Sequence, residues 1–161
     1  MPKLVTKDAI KLLERYKMLN GREIHARYEV FLENYNKTIN VEGQLMVLLA
    51  NRYILPAALE YQKQVAQSVA AVKSAGGKST ESKKVLDQVI KLTDELKRRA
   101  DKLQKALDHE SNGSAEKHAK HFRDAVVPAM ASLRDAGDAL ESTVPHELWP
   151  LATYREMLFI K

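Results

Sequence analysis

From Gly21 to about Ser74 the chain carries no strong pair of helix breakers. Over this stretch apolar residues recur three or four positions apart: Tyr28, Phe31 and Leu32, Tyr35, Ile39, Leu45 and Met46, Leu49, Tyr53 and Leu59. That spacing predicts one very long helix. At about 1.5 Å per residue it would reach roughly 80 Å, so a compact fold needs either a break or partner helices laid along it. Breaks are expected near 40–43, where Gly43 lowers helix propensity, or at Pro56, which lacks an amide donor and crowds the preceding turn.

The flanking segments read as helices too. A short one is expected over 6–19, capped by Thr6 and stopped by Asn20 and Gly21. Gly76 and Gly77 mark a turn. Beyond it Val85, Val89, Leu92, Leu96, Leu103 and Leu107 follow a coiled-coil spacing over 80–110, and Ala115, Ala119, Phe122, Val126, Ala129, Leu133 and Leu140 repeat it over 114–143, with Pro128 interposed. These two stretches are expected to form a long helical hairpin packed along the carboxyl-terminal half of the long helix. The fold class is therefore all-α: an elongated antiparallel bundle forming one domain over 1–161, with one long kinked helix and a long hairpin. With 161 residues, 6 glycines and 5 prolines, the composition suits one helical domain better than an all-β fold.

The last segment, 146–161, holds the only tryptophan, Trp149, and a dense set of large apolar residues. Thr153 and Glu156 have capping-box spacing, which predicts a final short helix through about Phe159. Burial of each large side chain would stabilise by roughly 1.5–3 kcal/mol. The tail is therefore a docking segment, either for this chain's own core or for an outside surface.

Several chemistries read poorly. Cysteine is absent, so neither a disulfide nor a thiolate metal site can form. Gly77, Lys78 and Ser79 imitate the end of a phosphate-binding loop, but Val72 stands where its first glycine belongs and a helix precedes it. His109, Glu110, Glu116, His118 and His121 gather near the second turn, yet no Glu-x-x-His occurs in the chain, so a bundle metal centre is not expected. The net charge of +5 invites an anionic partner. Lys97, Arg98, Arg99, Lys102 and Lys105 are interleaved with Asp94, Glu95, Asp101 and Asp108, which makes nucleic acid an unlikely ligand. No apolar run is long enough to span a membrane, and a cytoplasmic location is expected. The polar series Glu33, Asn34, Asn36, Lys37, Thr38, Asn40 and Glu42 is either an exposed helix face or a polar interface.

Four blocks carry a resemblance. The stretch from Arg27 to Glu42, then Ile54 to Ala57, resembles the start of the carboxyl-terminal region of type III glutamine synthetases. Val126 to Met130 and Leu148 to Phe159 resemble its end. Gly43, Leu148 and Ala152 stand where that family usually has alanine, tyrosine and proline. The resemblance implies a parent enzyme that makes glutamine from glutamate, ammonia and ATP with Mg or Mn, assembled as a large homo-oligomer. The family's catalytic motifs match no position here, so no catalytic, cofactor or metal residue is assigned and the chain alone is expected to be non-catalytic. It reads as an excised structural and assembly domain with Met1 as a supplied start. The expected contacts with the catalytic domain and neighbouring subunits are Tyr28, Tyr35, Lys37, Asn40, Glu42, Trp149, Tyr154 and Phe159. The alternative is a free-standing helical interaction module with a basic face.

Overall fold

The computed structural model describes residues 2–108, 113–152 and 154–158, and among them there is helix but no strand. A short 3-10 turn, Pro2–Val5, leads into α1, Lys7–Arg15, whose first turn is closed by Thr6 Oγ1 accepting the Ala9 amide. This helix ends earlier than its sequence suggests. Lys17 adopts a left-handed φ of 52°, while the Lys17 amide bonds the Glu14 carbonyl and the Met18 amide bonds that of Leu13. Together these close a Schellman stop. Asn20, expected to end α1, instead begins the next helix: its side chain accepts the Glu23 amide, and the Glu23 carboxylate accepts the Asn20 amide. This reciprocal capping box satisfies two amides that would otherwise lack partners.

The long helix is unbroken. α2, Gly21–Leu49, passes through a π-turn, Ala50–Ile54, into α3, Leu55–Ser74. No break occurs at 40–43. Gly43 is buried there, and a Cβ on it would lie 2.9 Å from Leu107 Cδ2, so the glycine serves close helix approach. Pro56 is accommodated by widening: the Leu55 amide bonds the Ala50 carbonyl five residues back. The wider turn carries the helix past the position where proline's ring would meet the carbonyl four back.

Gly76, at φ 79°, ends α3 in a second Schellman stop, with Gly76 N–H to Lys73 O and Gly77 N–H to Val72 O. The chain returns as α4, Thr80–Leu107, and turns again into α5, Ala115–His121. A second π-turn, Phe122–Val126, joins α5 to α6, Val127–Glu141, and again sits just before a proline, Pro128, with the Val127 amide bonding the Phe122 carbonyl.

Two contacts set the directions. Gly43 meets Leu107 at the carboxyl end of α4, and a Cβ on Gly137 would lie 3.9 Å from Ile54. Hence α4 runs antiparallel to the long helix while α5 and α6 run alongside it. The hairpin also reaches further up than expected: Asn36 Nδ2 donates to the Ala115 carbonyl at 2.9 Å, which places α5 against the amino-terminal half of the long helix. The core joins Val47, Ala50, Ile54 and Ala58 to Leu96, Ala100 and Leu103, and to Val126, Ala129, Leu133, Ala136 and Leu140. The alanines let the helices approach closely at native density. Thr93 is buried as well, its hydroxyl donating to the Val89 carbonyl at 2.8 Å.

Candidate assembly surface

The long helix has two apolar faces. Ile24, Tyr28, Leu32, Gly43 and Val47 point inward and are buried. On the opposite side Val41, Leu45 and Leu48 stand 63%, 52% and 41% exposed. Their four- and three-residue spacing aligns them as one stripe, turned from Gly43 and Val47 by roughly half a revolution at about 100° per residue. Sequence periodicity put Leu45 in one series with the core residues and did not single out Val41 or Leu48. The missed signal was that apolar residues fill both sides of the α2 wheel.

The residues expected to make outside contacts do not share one surface. Tyr28 is packed inside the bundle, Tyr35 is exposed beside it, and Asn40 is half-buried, its side-chain oxygen accepting from Gln44 at 3.3 Å. Lys37 and Glu42 face solvent, and Lys37 is 3.3 Å from Glu33. Trp149 is at the far end, half-buried with Leu148 and Leu151 against the chain's own core. Phe159 and the side chain of Tyr154 lie outside the described residues. The rest of α7, Tyr154–Leu158, leaves Met157 and Leu158 59% and 73% exposed.

Between α2 and α5 is a cleft of about 330 Å³ walled by Tyr28, Phe31, Leu32, Tyr35 and Ala119, with Pro2 at one edge and Glu116, Lys120 and Arg123 at the rim. The Glu116 carboxylate, 2.8 Å from Lys120, raises the lysine's pKa, and the Asp124 carboxylate does the same for Arg123.

Of the basic cluster on α4, Arg99 alone is drawn into the fold, while Lys97 and Arg98 pair with acids of their own helix. Arg99 donates to the Ser132 carbonyl of α6 at 2.6 Å and to the Glu95 carboxylate; Lys97 pairs with Asp101, and Arg98 lies 3.6 Å from Glu95. His121 is also structural. Its Nε2 is 2.8 Å from the Ala106 carbonyl in the last turn of α4, and since a carbonyl only accepts, that nitrogen carries the proton. His109 and Glu110 lie outside the described residues, among which no group of three potential metal ligands gathers. No described helix is long and apolar enough to cross a membrane.

Residues 1–73 match the family model of the glutamine synthetase C-terminal domain. The chain is 28% identical over 154 residues to the glutamine synthetase of Bacteroides fragilis (strain YCH46), covering 90% of this chain and 21% of that protein. It is 27% identical over 159 residues to the type-3 glutamine synthetase of Dictyostelium discoideum, covering 94% and 22%, and 28% identical over 162 residues to the glutamine synthetase of Butyrivibrio fibrisolvens, covering 99% and 23%. The chain thus spans about a fifth of the length of the relatives it matches.

Proposed function

We propose that this chain, related along nearly its whole length to type III glutamine synthetases and in its first 73 residues to their C-terminal domain, is a structural and assembly domain. In this reading it contributes surface, while ATP, Mg or Mn and glutamate bind to parts of the enzyme outside it. The observation that carries the reading is the stripe of Val41, Leu45 and Leu48 on the side of α2 turned away from the core. Contiguous exposed apolar surface on a helix that already has a full inner face is surface made to be covered. Its expected cover is the catalytic part of the same polypeptide or a neighbouring subunit of a cytoplasmic homo-oligomer.

The test is a chimera in which this chain replaces the matching region of the Bacteroides fragilis enzyme. The chimera should assemble, and Leu45→Glu with Leu48→Glu should prevent assembly while the isolated variant chain stays folded. Assembly that ignores both glutamates would sink the proposal. So would glutamine formation above background by the chain alone with ATP, magnesium, glutamate and ammonia.

A further inference from the structure

We draw no further inference here: the strongest candidate, the apolar cleft between α2 and α5 beside Tyr28 and Tyr35, carries nothing because its rim cations Lys120 and Arg123 already pair with Glu116 and Asp124 and nothing in the structure shows what covers it.

Discussion

Gly43 of α2 stands so close to Leu107 of α4 that a Cβ at position 43 would come within 2.9 Å of Leu107 Cδ2. The contact fixes where the end of α4 crosses the long helix, and it explains a glycine in the middle of a helix. Two effects oppose each other on substitution. Alanine would gain about 0.5–1 kcal/mol of helix propensity but must push aside the end of a flexible, half-buried side chain.

Gly43→Ala should accordingly change stability by less than about 0.5 kcal/mol, whereas Gly43→Val should destabilise by about 1–3 kcal/mol through overpacking. Urea denaturation measures both. Leu107→Ala in the Gly43→Val background should recover part of the loss, giving a non-additive double-mutant cycle.

Each π-turn exists in partnership with the proline that follows it. Deleting exposed Arg52 would convert the Ala50–Ile54 turn to ordinary α-helix without rotating α3, but Pro56 would then sit in a regular helix and cost about 3 kcal/mol. Adding Pro56→Ala to the deletion should restore most of that stability. By contrast, deleting Glu60 inside α3 turns every later residue by about 100° and should unfold the hairpin. Thermal melts of the three variants decide this.

Arg99 ties α4 to α6 through Ser132, and its guanidinium hydrogen-bonds Glu95. Arg99→Ala should destabilise by about 1 kcal/mol for the lost Ser132 bond, while exposed Arg98→Ala should fall within about 0.5 kcal/mol of the parent.

The hydrogen bond from Arg99, then its charge, holds the Glu95 carboxyl below its ordinary value of 4.5. A carboxyl whose folded pKa is depressed contributes stability above its unfolded pKa and loses it as pH falls through the folded one. Stability should therefore decline as pH drops from about 4.5 downward, and Glu95→Gln should flatten that part of the acid limb in denaturation curves taken across the range.

Trp149 is the sole tryptophan and packs half-buried against the core. Its emission should lie to the blue of free indole in the native chain and move to the red on unfolding. Trp149→Ala should cost about 1–3 kcal/mol. Emission at the free-indole position in the native monomer would remove the tail from the core.

The sequence by itself determined the helical class, the Gly76 turn and the pairing of 80–110 with 114–143. These follow from local physics: a three-to-four spacing reports which residues share a helix face, and a glycine where φ is positive ends a helix whatever surrounds it. Tertiary structure decided what local pattern leaves open. Periodicity could not say which apolar face of α2 turns inward, since Ile39 and Val47 differ from Leu45 and Leu48 only in what lies opposite them. Nor could it show that Gly43 serves close packing, that Asn20 opens a helix, or that Pro56 and Pro128 are passed by widened turns. The proposed assembly surface was legible only as a supply of apolar residues. Its location emerged once α4, α5 and α6 had covered one side of the long helix and left Val41, Leu45 and Leu48 on the other.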